Sequence, residues 1–405
     1  MSAGESSNHP ITVLHIGKYF PPHAGGMETF LRDLVVSSTA KGAKTATLVH
    51  QSHLGFRSSR ESFSVNDADI PVTRAATWCR FLYTPISPTF AWLLRRLINQ
   101  HRPDILHLHL PNPSAFWALC LPAARRIPWI VHWQSDVMTP KSHWIMKLAY
   151  RLYAPFESAL LKKAQRIIAT SPPYLATSKP LGRVNTKCRV VPLGIEDRFG
   201  HESADLGSHH PDTDLAPDAT KPMLLQVVAI GRMAHYKGFD VLLRALAQTK
   251  HIALDFIGDG EQALSLQHLA ASLKLGARVH FHGALGDDAR DKLIAACDCL
   301  CLPSTDRTES FGIVILEAMS AGKACVVSKV LGSGMAWLVE NQETGLVVPC
   351  NDVISLAKAL CQLRDDRLFN AELGQNGRRK FLRSFTINAS TTAVHRIYSE
   401  MVASG

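Results

Sequence analysis

Two glutamates eight residues apart, Glu309 and Glu317, bracket the segment of clearest chemical potential in this 405-residue chain. The apolar stretch Phe311–Met319 between and beyond them reads as a buried helix. The first turn of such a helix, at Phe311 and Gly312, leaves backbone N–H groups without partners, and Gly312 lets a ligand approach the backbone closely. Together these suit a diphosphate. Glu317 falls among apolar neighbours, where an ionised carboxylate needs donors. The paired hydroxyls of a ribose would serve, and so would a buried Arg or Lys; the segment itself leaves both open.

A second segment, Gly231-Arg232-Met-Ala-His-Tyr-Lys237-Gly238, puts two cations directly after a strand-like run. Arg can fork onto phosphate oxygens, Lys adds a point charge, and the pair can stabilise a departing diphosphate. Taken alone, the same residues also describe a solvated basic loop. Gly25-Gly26 stands in the loop after the first strand, where paired glycines admit a phosphate to the backbone. Neither a G-x-G-x-x-G dinucleotide fingerprint nor a G-x-x-x-x-G-K-[ST] loop is present. His132 closes a strand and Asp136 follows, a polar pair able to contact sugar hydroxyls or assist proton transfer, though taken alone a structural histidine is the more ordinary reading. His107 and His109 read as packing or loop-anchoring residues. The D-x-D tripeptides Asp67–Asp69 and Asp212–Asp214 sit in polar sequence rather than at a strand end, which argues against metal binding. The spacing of Cys297, Cys299 and Cys301 puts them on one strand face, as small core residues rather than a zinc site.

These side chains need strand ends and helix starts to hold them. Short β-like runs alternate with helical stretches, which predicts an α/β fold with parallel sheets. The runs are Ile11–Ile16, Thr45–Val49, Asp104–Leu110, Trp129–His132 and Arg166–Ala169. A second series comprises Leu224–Ile230, Ala253–Ile257, Val279–Phe281, Cys299–Leu302, Ala324–Val327 and Leu346–Val348. The restart predicts two doubly wound domains, residues 1–195 and 222–388, with ligands in a cleft at the strands' carboxyl ends. Residues 196–221 read as a linker with a polar insertion, Pro192–Glu196 as the hinge, and 389–405 as a last helix.

With 46% hydrophobic and 19% charged residues the composition is globular. No run of 18 apolar residues predicts a spanning helix, and the polar N-terminus lacks a signal-peptide pattern; a cytoplasmic protein is expected. The net charge of +10 is uneven. Residues 1–195 carry 23 Lys/Arg against 9 Asp/Glu, and residues 196–405 carry 21 against 25. A basic first half expects an anionic partner. No nucleic-acid module accompanies the charge, which leaves an anionic membrane. The stretch Lys141–Arg166 interleaves Trp144, Tyr150, Tyr153 and Phe156 with basic residues, a pattern for the headgroup region.

In order and spacing, five elements resemble the family 4 glycosyltransferases, retaining enzymes of the GT-B fold. They are Gly25-Gly26, Arg232…Lys237-Gly238, Gly258-Asp-Gly260, Glu309…Glu317 and Gly345-Leu-Val-Val-Pro349. The resemblance implies two Rossmann-like domains facing across a cleft, the first for acceptor and the second for a nucleotide-sugar, with the last helix, 389–405, returning to the first domain. It implies that Arg232 and Lys237 hold the donor diphosphate, Glu309 the transferred sugar and Glu317 the ribose. Gly25, Gly26, Phe311, Gly312 and Ile313 line the donor, and His132 approaches the donor sugar, with Asp136 a possible acceptor contact. It further implies a front-face reaction without a covalent nucleophile, in which the leaving phosphate takes the acceptor proton. No metal or other cofactor is expected. The segment His132-Trp-Gln-Ser-Asp136, with Lys141 beyond, is similar to a subgroup acting on bacterial lipopolysaccharide or exopolysaccharide intermediates. That points to GDP-mannose as donor, a lipid-linked saccharide acceptor, and a site on the inner face of the cytoplasmic membrane. A UDP-sugar donor is the nearer alternative. More distant ones are a sugar-nucleotide epimerase, a phosphorylase, a non-catalytic sugar-nucleotide binder and a nucleic-acid-binding protein.

Overall fold

The computed structural model describes residues 10–23, 25–65, 68–81, 84–137, 144–200 and 224–403. Lys141, Asp67, Asp212–Asp214 and nearly all of the polar insertion lie outside them. Two compact units emerge: residues 1–170, 178–192 and 387–405 form one, and residues 171–177 and 193–386 the other.

The strands of the first unit are β1 (Thr12–Ile16), β2 (Lys44–His50), β3 (Ser59–Val65), β4 (Ala68–Ala75), β5 (Cys79–Phe81), β6 (Thr84–Ile86), β7 (Ile105–Leu110), β8 (Trp129–Trp133), β9 (Arg166–Ala169) and β10 (Cys188–Val190). Eight of them form one sheet in the order β10-β9-β8-β7-β1-β2-β4-β3. All pairings are parallel except β3 with β4. The apolar runs of β1, β7 and β8 are buried on both faces, as a parallel sheet covered by helices demands. The helix Gly26–Ala40 turns Phe30, Leu31, Leu34 and Val35 into that core. Against it packs the last helix, Ile387–Ala403, which buries Val394, Ile397, Tyr398 and Met401.

The second unit contains β11 (Leu225–Ile230), β12 (Ile252–Ile257), β13 (Val279–Phe281), β14 (Cys299–Leu302), β15 (Ala324–Lys329) and β16 (Gly345–Pro349). They form an all-parallel sheet ordered β13-β12-β11-β14-β15-β16. Counted from β11 this is a doubly wound order, and its direction reverses between β11 and β14. Cys299 and Cys301 sit within its apolar core, where burial pushes both thiols up; they are the small packing residues that their spacing suggested.

The sequence runs for β1, β2, β7, β8, β9 and all six strands of the second unit coincide with observed strands to within two residues at each end. Sequence reading missed β3, β4, β5, β6 and β10. β3, Ser-Arg-Glu-Ser-Phe-Ser-Val, is a polar edge strand without an apolar face, and β5, β6 and β10 have three residues each. Among the described residues no helix is long and apolar enough to cross a membrane.

Candidate functional site

In the second unit the expected donor residues gather at the reversal point. The loop after β11 carries Arg232 and Lys237, and the loop after β14 carries Glu309, Phe311 and Gly312. Gly231 has φ +142, and a Cβ there would lie 2.8 Å from the Lys237 ammonium. Glycine at 231 therefore opens the space into which Lys237 folds back, buried to 6% exposure. Its Nζ donates to Glu309 Oε2 at 2.5 Å. Burial, the largest single influence, would depress the Lys237 pKa; the Glu309 carboxylate and Tyr236 together outweigh it and hold the ammonium above its usual range. The backbone at Glu309 is fixed in turn by the loop after β15. Ser333 Oγ donates to the Glu309 carbonyl at 2.5 Å, and Gly334 N–H to the Ser310 carbonyl at 2.8 Å. Arg232 is exposed and, among the described residues, has no carboxylate within ion-pair distance.

Gly312 caps the helix Ile313–Ser320 with φ +86 and ψ 62, a left-handed conformation that other residues adopt only with strain. The N–H groups of Ile313 and Val314 open the helix with no intrahelical acceptor. One buried cation, one exposed cation and one helix N-terminus thus stand at the carboxyl ends of two adjacent strands. That arrangement can bind and neutralise a diphosphate.

Glu317, further along the same helix, is partnered by the second unit itself. Arg290 Nη2 lies 3.6 Å from Glu317 Oε1, and Arg290 also reaches Asp287 at 3.1 Å. Arg198 pairs with Asp287 and Asp291. Burial raises the Glu317 pKa, while Arg290 and Arg198 pull it back. The pairing with an arginine that the sequence left open is therefore present, although Arg290 is only partly buried. It is incomplete, because Glu317 Oε2 is buried without a hydrogen-bond partner.

The first unit has its own reversal point, between β1 and β7. A depression there is lined by Gly17, Lys18, Tyr19, Glu28, Pro111 and Gln134, among others. Gly25 is the N-cap of the helix Gly26–Ala40, and a Cβ on it would collide with the Glu28 carboxylate. Glu28 is buried, which raises its pKa.

His132 is displaced from its expected place. β8 continues to Trp133, so His132 lies inside the sheet rather than at its open end. It is fully buried, in register with His109 and edge-on to Phe30 at 5.0 Å. Both of its ring nitrogens are buried without a hydrogen-bond partner. The residue of that strand end lining the depression is Gln134, whose amide nitrogen is buried and unpartnered. Asp136 is likewise engaged as a fastener: its Oδ1 accepts from Trp133 Nε1 at 2.9 Å and from Ser178 Oγ at 2.7 Å. Sequence reading overlooked Glu28, Gln134, Arg290 and His15. Only Gln134 stood within a segment already singled out; the others carry no local signal.

Comparison with known proteins shows the family and the fold. Residues 25–194 match the glycosyl transferase 4-like domain, and residues 214–380 match the glycosyl transferases group 1. The chain is 26% identical to O-antigen chain mannosyltransferase C of Escherichia coli, over 97% of this chain and 99% of that one. It is 29% identical to D-rhamnosyltransferase WbpZ of Pseudomonas aeruginosa over 70% of each. The fold resembles that of Anabaena Alr3699/HepE, solved in complex with UDP-glucose, with a TM-score of 0.70, 21% identity, and coverage of 96% of this chain and 100% of that one. The chain belongs to the GT-B glycosyltransferases, its first half a glycosyl transferase 4-like domain and its second a group 1 domain.

Proposed function

We propose that the chain transfers a hexose, with retention of configuration, from a GDP-sugar to a lipid-linked or saccharide acceptor in cell-surface polysaccharide synthesis, and that the donor is GDP-mannose. The observation that carries the reading is the convergence of Arg232, Lys237, Glu309 and the Gly312 helix start at one reversal point. Full-length similarity to an O-antigen mannosyltransferase supports the choice of sugar and pathway. In this reading Arg232, Lys237 and the first-turn N–H groups hold the diphosphate and stabilise its departure. Glu309 orients the sugar, and Glu317 Oε2 accepts from the ribose. The depression bearing Gln134 and Glu28 offers polar contacts to the acceptor. Direct assay with GDP-mannose, with NMR of the product's anomeric centre, tests donor and stereochemistry together. An inverted product removes retention, and tight UDP binding without GDP binding removes the donor.

The similarity to a UDP-glucose complex favours a UDP-sugar as the second reading. Because two cations and a helix N-terminus supply the positive charge, transfer is expected to survive excess EDTA. Loss on chelation with rescue by Mg²⁺ or Mn²⁺ would contradict this.

We further propose that the first unit docks on an anionic membrane face. The helix Trp144–Lys163 supports this: Trp144, Ile145, Leu148, Leu152 and Phe156 are between 46% and 71% exposed, and Lys147, Arg151, Lys162 and Lys163 are exposed beside them.

A further inference from the structure

Four histidines share one covered face of the first unit's sheet. Neighbouring strands place His15 opposite His107, and His109 opposite His132. All four are buried, with exposures of 0%, 0%, 6% and 0%. Nothing in the proposed transfer chemistry uses them, and several of their nitrogens have no partner: His15 Nε2, His107 Nε2, His109 Nδ1 and both of His132. So many unpaired imidazole nitrogens in an apolar layer are costly unless something else binds them.

We propose that His15, His107 and His109 form a binding site for a divalent transition-metal ion, Zn²⁺ being the best fit. One ligand atom from each ring falls within 4.8 Å of the others. His15 Nδ1 and His109 Nε2 are 3.2 Å apart. Two nitrogens bound tetrahedrally to one Zn²⁺ at 2.0–2.1 Å stand roughly 3.3 Å apart. A contraction of about half an ångström per ligand brings all three to bonding distance. Imidazole donors suit Zn²⁺ and its neighbours in the series, and do not suit Mg²⁺ or Ca²⁺.

The supporting contacts are present too. His107 Nδ1 lies 2.6 Å from the Tyr398 hydroxyl. With its Nδ1–H donated to that oxygen, His107 presents the lone pair of its unpartnered Nε2, the tautomer a metal requires. His132, stacked on His107 and His109 at 5.4 and 5.5 Å, supplies a further imidazole beside the three. Binding needs no net proton release: the proton between His15 and His109 moves to the outer nitrogen of the ring that carries it. His109 also borders the depression at the sheet's carboxyl edge, which gives an ion a route in. Because Tyr398 belongs to the last helix, the ion would fasten that helix to the sheet.

The test is titration of the untagged, metal-stripped full chain with Zn²⁺ by calorimetry and with Co²⁺ by visible absorption. One ion per chain, intense tetrahedral Co²⁺ bands and nitrogen or oxygen scattering at about 2.0–2.1 Å without sulfur in X-ray absorption are expected, three imidazoles and a water completing the tetrahedron. His107→Gln should abolish the bands, whereas a His280→Gln/His282→Gln control on the second unit should retain them. Tyr398→Phe, a gentler change whose fold is checked by circular dichroism, should weaken Zn²⁺ binding about 10–100-fold by loosening His107. Absence of stoichiometric binding, or binding unchanged in both His107→Gln and Tyr398→Phe, overturns the site.

Discussion

Lys237 and Glu309 show how little of a site's energetics two residue names convey. Both were legible as site residues from glycine-punctuated loops after strands; their mutual contact was not, since 72 residues separate them. Removing one partner of a buried pair leaves the other charged and desolvated. Glu309→Gln should therefore lower unfolding free energy by about 3 kcal/mol, whereas Lys237→Met, which leaves Glu309 with Ser304 and some solvent, should cost about 1 kcal/mol. Urea unfolding of the two variants checks the order, and equal losses would show that the carboxylate left behind is no better solvated than the ammonium; additive losses in the double variant would show that the pair is not coupled. For turnover, loss of Lys237 or Arg232 should reduce kcat about 10–100-fold, matching about 1.5–3 kcal/mol per charge-assisted contact. For Glu317, loss of the carboxylate should weaken nucleotide binding by a similar factor. The Arg290 pairing makes the discriminating variant Glu317→Gln, which keeps an acceptor for ribose but not the charge for Arg290. Calorimetry showing near-native nucleotide affinity in Glu317→Gln and a loss in Glu317→Ala supports the ribose contact; equal losses assign Glu317 to Arg290. His132 shows why a residue can be misplaced from sequence. Extending β8 by a single residue, Trp133, moved the open strand end past His132 and brought Gln134 to the depression.

At the scale of elements, strands buried on both faces were readable because unbroken apolar runs admit few alternatives. The polar edge and the three-residue strands were not, because only pairing with neighbours makes them strands. The helix Trp144–Lys163 was readable as a mixture of aromatic and basic residues, but not which side of it faced inward. It buries Glu157, which accepts from the Tyr150 hydroxyl at 3.0 Å. Burial, the dominant cause, raises the Glu157 pKa from 4.5 to about 7. The folded chain therefore keeps the proton between those two values while the unfolded chain releases it. Glu157's contribution to stability is fully present below about pH 4.5 and is lost as pH rises through about 7. Relative to Glu157→Gln, the wild type should lose up to about 1.4 kcal/mol per pH unit across that window. Parallel unfolding curves of the two proteins at several pH values check this, and identical slopes would place the Glu157 pKa at its ordinary value.

For the molecule as a whole, charge is the most telling property: the basic excess lies in residues 1–195, while the motifs proposed to bind the diphosphate lie in the mildly acidic remainder. A basic surface evolved only for the donor would sit beside the donor motifs. Its segregation into the other half calls for a separate anionic partner, and the exposed face of Trp144–Lys163 narrows the chemistry. Ile145, Leu148, Leu152 and Phe156 recur at helical spacing on that exposed side, with Lys147 and Arg151 alongside, whereas Tyr153, Glu157 and Leu160 turn inward. A nucleic acid would use the cations and leave the leucines in water. A bilayer surface uses both, since apolar side chains enter the headgroup region and each basic residue adds about 1 kcal/mol near anionic lipid. Exposed charges are screened beyond ~8 Å at physiological ionic strength, so docking should weaken with salt yet retain an apolar remainder. Vesicle co-sedimentation of the full chain with neutral and anionic lipids, at low and high salt, measures both parts. Leu148→Glu/Leu152→Glu should remove the salt-resistant fraction and Lys147→Glu/Arg151→Glu the salt-sensitive one, with nucleotide affinity unchanged in each. Equal, negligible pelleting of wild type under all four conditions would sink membrane docking and leave the transferase assignment standing.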